Sequence, residues 1–308
     1  MKARLLYPLL GGLAVWGGCR PTPPSSRAGA AELSARERRL ATNLSNAGAK
    51  RSSPLARWIL PKEIGEVSGL ALTADGRLLA HGDENGRVNV IDPRRGVLLK
   101  HFAIGTAEGE AHADFEGITL AAGRIFMVAS NGTLYEFAEG ADGERVRYTV
   151  HDTRLGHECE FEGVAFEAAT GFLLLPCKTV GTKDLRDHLV LYRLRLGPGG
   201  DSALVPITIP LDKVIGSNRW KGLHPSDITV DPATGNYVLI AAREKALIEI
   251  TPAGEVVRSI PLPEKHGQAE GVALTTDGIL VVSDEATNRS ATLTLYRWPL
   301  TAVPPGPP

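Results

Sequence analysis

The amino-acid sequence predicts an all-β protein that folds as a β-propeller of five four-stranded blades. A short motif recurs five times, each copy precedes several apolar segments of strand length, and Gly and Pro are plentiful, at 34 and 21 residues. Repeats of about 45 residues with four strands each are typical of propeller blades. Because 43% of the residues are hydrophobic, the chain can also bury a substantial core.

Each repeat begins with a polar or acidic motif that leads directly into an apolar run. The copies are EVSGLAL from Glu66, DFEGITL from Asp114, EFEGVAF from Glu160, HPSDITV from His224 and QAEGVAL from Gln268. Aligned on Gly69, Gly117, Gly163, Asp227 and Gly271, the copies are 48, 46, 64 and 44 residues apart. The spacing is regular enough to predict one structural unit per copy.

The first strand of each repeat ends at a hairpin signal. These turns read TADGR, AAGR, EAATG, DPATG and TTDG, in which Gly follows Asp, Thr or Ala. Two or three further strand segments follow each turn. The long third step contains the insertions KTVGTKDLRDHLVL and LGPGGDS. A six-bladed ring is the alternative if this insertion hides a degenerate blade, and a β-sandwich with coincidental spacing is a second alternative.

The two ends of the predicted domain complement each other. The fifth repeat lacks a fourth strand, because Trp298 is followed by Pro299 and a Pro-rich end. The segment LARWILP at 55–61 precedes the first repeat and has no blade of its own. We expect it to supply the missing outer strand and so to close the ring, which removes open sheet edges. The propeller domain is therefore placed at 55–300, with a Pro-rich tail at 301–308.

The N-terminus reads as a targeting segment. Lys2 and Arg4 precede an apolar run that ends in Gly17-Gly18-Cys19. This resembles a bacterial lipoprotein signal, which implies removal of residues 1–18, diacylation of Cys19 and membrane anchoring in the cell envelope. Because Trp16 stands where a small aliphatic residue is usual, a plain secretory peptide and an uncleaved anchor helix remain alternatives.

Residues 19–54 are interpreted as a linker and a short helix. The stretch at 20–30 is rich in Pro and Ser and cannot pack a core. Ala, Glu, Leu and Arg dominate the following segment, which predicts a helix over Ala31–Asn46. This helix is either a tether or an element that rests on the domain.

The hairpin register places the acidic motifs together. The first strand of a propeller blade lines the central channel, and antiparallel pairing brings the start of that strand beside the end of the second. Five side chains then surround one mouth: Glu66, Glu116, Glu162, Asp227 and Glu270. A second tier follows: Asp83, Glu84, Asp114, Glu160, Asp284 and Glu285.

A ring of carboxylates suits a hard cation. Like charges raise one another's pKa values, and Ca²⁺ relieves the repulsion by accepting six to eight oxygen ligands. The alternative is a structural staple, in which the acids accept backbone N–H groups of the neighbouring blade. Lys178, Arg243 and Lys245 could also neutralise the ring without a metal. Glu162 and Glu270, which share the motif E-G-V-A, are the strongest metal-ligand candidates.

The sequence favours a binding module over an enzyme. A net charge of −1 gives no indication of the excess of basic residues that is typical of nucleic-acid binding. A protein partner on the propeller face is the expected ligand, in addition to the anchoring membrane. The alternative is a Ca²⁺-dependent hydrolase of phosphoesters or lactones, assisted by His157, His224 and Arg243, although the sequence contains neither G-x-S-x-G nor H-E-x-x-H.

Two cysteines remain after Cys19 is assigned to the lipid anchor. Cys159 and Cys177 flank one hairpin but are about three residues out of register. The separation favours free thiols, and a disulfide is the alternative.

These segments resemble the SdiA-regulated family, the YjiK/CarP-like bacterial β-propellers. The resemblance covers about residues 58–298, and the segments that carry it are EVSGLALTADGRLLAHGDENGRVNVID, DFEGIT, ECEFEGVAF, LHPSDITVDPATG and QAEGVALTTDG. The resemblance implies an envelope-located propeller that is associated with calcium. It implies no defined chemistry, because a fold does not determine an activity.

Overall fold

Five antiparallel sheets form a ring in the computed structural model of the protein. The structure describes residues 26–46, 50–196, 202–263, 266–285 and 290–300. The first strand of each sheet contacts the first strand of the next, and the last contacts the first again. The five-bladed propeller is therefore confirmed, and the six-bladed and sandwich alternatives are wrong.

The five blades follow the five sequence repeats. Blade one contains β2 (Gly69–Leu72), β3 (Leu78–His81), β4 (Arg87–Asp92) and β5 (Val97–Ile104). Blade two contains β6 (Phe115–Ala121), β7 (Arg124–Ala129), β8 (Thr133–Phe137) and β10 (Tyr148–Asp152).

In blade three the first strand is divided into two short strands, which both pair with the same neighbour. Blade three contains β11 (Cys159–Phe161), β12 (Ala165–Glu167), β13 (Phe172–Val180), β14 (His188–Leu196) and β15 (Ser202–Pro210). Blade four contains β16 (Asp227–Val230), β17 (Tyr237–Ala241), β18 (Ala246–Ile250) and β19 (Val256–Pro261).

Blade five is completed by the N-terminal strand, as the sequence predicts. Its members are β20 (Ala269–Leu274), β21 (Ile279–Asp284), β22 (Thr292–Arg297) and β1 (Pro54–Ile59). β1 pairs antiparallel with β22, with Trp58 opposite Leu293. Joining the two ends of the domain in one sheet leaves the ring without a gap.

The helix α1 (Ser26–Ser45) packs on this closing strand. It begins five residues before the predicted start at Ala31. Leu40 is buried, and Asn43 Nδ2 donates a hydrogen bond to the Leu55 carbonyl at 2.7 Å. α1 therefore rests on the domain. No helix in the described part of the chain is long and apolar enough to cross a bilayer.

The core consists of apolar layers between neighbouring blades. Phe102 and Val88 of blade one, for example, pack with Phe115 and Ile118 of blade two, and all four are almost fully buried. The other core clusters likewise combine adjacent blades. Because each blade buries both faces, its strands read as continuous apolar runs.

Two local departures from the predicted strands occur. The predicted fourth strand of blade two divides into β9 (Arg145–Val146), which pairs parallel with β5 of blade one, and β10. The third-repeat insertion forms a 3-10 turn (Lys183–Leu185), the long β14–β15 hairpin and α2 (Leu211–Ile215). The insertion therefore extends blade three and adds no blade.

Candidate functional site

Glycine permits the inner strands to meet at the centre of the ring. A Cβ atom on Gly117 would lie 2.6 Å from Gly163 Cα, and one on Gly163 would lie 2.8 Å from Asp227 Cα. Gly163 also has a φ of +90°, a conformation that other residues rarely adopt. The repeated Gly is therefore explained by the close approach of neighbouring backbones.

Asp227 occupies the glycine position of the fourth repeat and acts as a staple. Its Oδ2 accepts hydrogen bonds from the backbone N–H groups of Val272, at 2.7 Å, and Leu70, at 3.4 Å. Its Oδ1 accepts from Ile228 N–H at 2.8 Å. The side chain is fully buried, and burial raises its pKa while the three N–H groups oppose this effect. Asp227 thus joins blades four, five and one, and both of its carboxylate oxygens already accept hydrogen bonds.

Two of the remaining predicted acids project from β-bulges. In blade two, Phe115 faces Ala129 and Gly117 faces Val128, which leaves Glu116 as the extra residue. Glu270 is the extra residue in blade five in the same way. A bulge redirects a side chain out of the normal alternation of a strand.

Three carboxyl pairs lie at this mouth, and we call them the acid pairs. They are Glu66 with Asp83, Glu116 with Asp114, and Glu270 with Glu285. In each pair the second carboxyl group raises the pKa of the first, both by its charge and by favouring the protonated form. The pairs also repel one another, since Glu285 acts on Glu66 and Glu270 acts on Glu116.

Burial and this repulsion shift the pKa values towards neutrality. Burial, followed by the charge of Asp114, raises the pKa of Glu116 to about 8. Burial is also the main reason that the pKa of Glu270 rises to about 7, with Gln268 opposing and Glu285 reinforcing the shift. Burial and Asp83 raise the pKa of Glu66. Glu116 and Glu270 therefore retain protons near neutral pH.

Blade three contributes a lysine side chain, Lys178, to the acidic mouth. Lys178 Nζ forms an ion pair with the buried Glu162 and lies 4.0 Å from Glu160 Oε1. Its charge also lowers the pKa values of Glu116 and Glu270. Lys178 is the bulged residue of β13, because Glu160 faces Thr179 whereas Phe161 faces Cys177. The sequence identified Lys178 as a neutralising group, but only the bulge shows which acid it pairs with.

A disulfide joins Cys159 to Cys177, so the expectation of free thiols was wrong. The two Cα atoms are 5.5 Å apart, although Cys159 faces Val180 in the register. Cys177 is three residues away from Val180, the partner of Cys159, and the extra residue Lys178 in the bulge reduces this offset. The bond ties β11 to β13 beside the Glu162–Lys178 pair.

The side chains of Asp284 and of the histidines named from the sequence contact groups outside the acid pairs. Asp284 Oδ2 interacts with His266 Nδ1 at 2.8 Å, and His266 Nε2 interacts with the Tyr296 hydroxyl at 2.8 Å. His157 is exposed, and His224 is held by Glu244. In the described ranges, no three His, Cys, Asp or Glu side chains are arranged as a ready metal site. The lipidation candidate Cys19 lies outside the described residues.

The fold and this mouth define a five-bladed β-propeller with paired acids at one end of its channel. Residues 213–298 match the model of the SdiA-regulated family, the family that the sequence resembles. No curated protein sequence matches the chain.

Solved structures support the same architecture. A glutaminyl cyclase of Myxococcus xanthus is 13% identical, with a TM-score of 0.55 over 79% of this chain and 94% of that one. A luciferin-regenerating enzyme is 11% identical, with a TM-score of 0.52 over 82% of this chain and 98% of that one. At these identities the likeness shows the fold alone.

Proposed function

We propose that the protein is a binding module of the bacterial cell envelope whose acidic mouth holds a hard cation, Ca²⁺ in the first place. The observation that carries this proposal is the set of three acid pairs. Glu116 and Glu270 retain protons near neutral pH, so a cation that binds them has to displace protons and does not have to break an ion pair. The donors are all carboxylate oxygens, which suit Ca²⁺ better than a softer metal.

Two of the acid pairs fit such an ion best. Glu116 and Glu270 interact electrostatically with each other, and each has a carboxylate neighbour in Asp114 or Glu285. An ion bound between these pairs would draw on up to four carboxyl groups. Because no three of these ligands are already arranged around one point in the described residues, binding requires side-chain movement.

The other sequence-predicted ligands take different parts in this proposal. Glu66 and Asp83 form a third pair that contributes to the field of the mouth. Glu162 is neutralised by Lys178, which therefore competes with a bound ion. Asp227 is excluded, since its oxygens already accept backbone hydrogen bonds.

Binding of the cation would change how the mouth interacts with a protein partner. Charged groups at the rim of a surface determine which partners approach it, and neutralising the acid pairs changes that charge. A lipid on Cys19 would hold the propeller at a membrane, where such a partner can be met. This envelope location and the partner rest on the sequence.

Calorimetry with the purified protein tests the proposal. The matched comparison is Glu116→Gln with Glu270→Gln against Glu139→Gln with Glu255→Gln, which makes the same two replacements far from the mouth. We expect Ca²⁺ affinity to fall by about tenfold or more in the first variant and by less than about twofold in the second. Equal losses in both variants would show that only general electrostatics attract the ion.

A further inference from the structure

A cavity lined in part by basic residues lies in blade four, in contrast to the acidic mouth. It has a volume of about 350 Å³ and is lined by Trp220, Lys221, Gly222, His224, Arg243 and Glu244. Arg243 and Glu244 belong to the turn between β17 and β18. Ile240, near the end of β17, faces Asp227, the first residue of β16, so this turn lies at the same end of the blade as the acidic mouth. Two sites of opposite charge therefore share one end of the propeller.

His224 is fixed by a buried carboxylate. Glu244 Oε1 lies 2.8 Å from His224 Nδ1, and Glu244 Oε2 accepts the His224 backbone N–H at 3.0 Å. Only 7% of the Glu244 side chain is exposed, against 30% for His224. This two-point contact places the proton on Nδ1 and orients Nε2 away from Glu244, since Nδ1 must donate to the carboxylate.

Two basic residues, Arg243 and Lys221, line the same cavity as this imidazole. Arg243 Nη1 lies 3.4 Å from His224 Nε2, and 74% of the Arg243 side chain is exposed. The nearest carboxylate to Arg243 is Glu244, at 4.0 Å, which is already shared with His224. No carboxylate in the described ranges forms an ion pair with Lys221, which is exposed. Two positive charges therefore face the cavity with little neutralisation.

We propose that this cavity binds a phosphate group, as carried by a small phosphate monoester. Such a group has about −1.5 to −2 charges and three acceptor oxygens, which suit the donors of Arg243 and Lys221. A planar guanidinium recognises phosphate by two parallel hydrogen bonds. The Trp220 ring supplies an apolar wall for the organic part of the ligand.

This site goes beyond the cation proposed at the acidic mouth and does not depend on it. The acid pairs lie in blades one, two and five, whereas every residue of the cavity lies in or beside blade four. Loss of one site leaves the other intact.

Titration of the purified protein with inorganic phosphate, without added metal, tests the inference. The signals are the heat of binding and the fluorescence of Trp220. Arg243→Gln should weaken binding by about tenfold, because a charge-assisted contact is lost. Arg219→Gln removes a nearby exposed cation that does not line the cavity, and it should weaken binding by less than about twofold. Trp220→Phe should abolish the fluorescence change while the heat remains.

Two further measurements, an acetate titration and a Glu244 variant, test the assignment to phosphate and the role of Glu244. Acetate should bind more weakly than phosphate, since it has one charge and two oxygens; equal affinity would overturn the assignment to phosphate. Glu244→Gln should change the NMR chemical shifts of the His224 ring and weaken phosphate binding, as expected of a positioning residue. No binding of phosphate, or equal effects of Arg243→Gln and Arg219→Gln in folded variants, would refute the site.

Discussion

Lys178 Nζ forms an ion pair with Glu162 Oε1 in blade three, outside the three acid pairs of the acidic mouth. The lysine is placed there by the bulge in β13. Blade three thus neutralises its acid with a lysine, whereas the acids of blades one, two and five face a second carboxyl group. This difference makes Lys178 a reference point for testing what the other acids do.

Replacing Lys178 should reveal its two effects separately. Lys178→Met leaves the buried Glu162 without a partner, so the free energy of unfolding near neutral pH should fall by about 2–3 kcal/mol. Adding Glu162→Gln should recover most of this loss. Lys178→Met should also tighten Ca²⁺ binding by about threefold or more, because a competing positive charge is removed. Denaturant unfolding and calorimetry provide the two readouts, with Lys213→Met as the control. A weaker Ca²⁺ affinity in Lys178→Met would oppose the competition described here.

Asp227 should behave as a staple rather than a metal ligand. Asp227→Asn keeps the size of the side chain but turns an NH₂ group towards backbone donors. We expect a loss of about 1–3 kcal/mol in unfolding free energy, because buried N–H groups lose their acceptor. Ca²⁺ affinity, measured on the folded variant by calorimetry, should not change. A normal stability together with lost Ca²⁺ binding would reverse the assignment.

The raised pKa values predict how stability depends on pH. Glu116 has an ordinary value of 4.5 and a folded value of about 8, so between these values the folded state binds more protons than the unfolded state. The free energy of unfolding should therefore fall as pH rises through this window and level off above it. Glu116→Gln with Glu270→Gln should flatten the fall, and saturating Ca²⁺ should reduce it. Urea unfolding across the window measures the slope, and an unchanged slope in the double variant would show that other groups are responsible.

Membrane attachment should depend on Cys19. Cells that express the protein with a labelled fatty acid should incorporate the label, and Cys19→Ala should abolish the incorporation while the protein is still made. The reason is that only the thiol of this residue follows the short apolar run and its two glycines. Label retained by Cys19→Ala would leave a plain secretory peptide or an uncleaved helix as the better interpretation.

The sequence was sufficient for the fold because the repeat and the hairpin register are local properties. The spacing of the motifs predicted five blades, and the missing strand after Trp298 predicted the closure by β1. The same register correctly brought Glu66 near Asp83. Antiparallel pairing determines these contacts once the turns are known.

Other features depend on the approach of distant segments, which no repeat encodes. Asp227 turns inward because the glycines of the neighbouring blades bring backbone N–H groups within its reach. The disulfide and the position of Lys178 both follow from one bulge that shifts the register of β13. Glu244 adjoins Arg243 in sequence, yet its hold on His224 appears only when the turn after β17 is in place.

Proton release on Ca²⁺ binding tests the central claim most directly. If Ca²⁺ binds between Glu116 and Glu270, whose pKa values are raised to about 8 and about 7, calorimetry near neutral pH in buffers of different ionisation enthalpy should reveal the release of about one proton per ion. Glu116→Gln with Glu270→Gln should bind weakly and release none, whereas Glu139→Gln with Glu255→Gln should match the parent protein. Absence of binding, or tight binding with no proton released, would contradict the assignment of the acid pairs as the cation site.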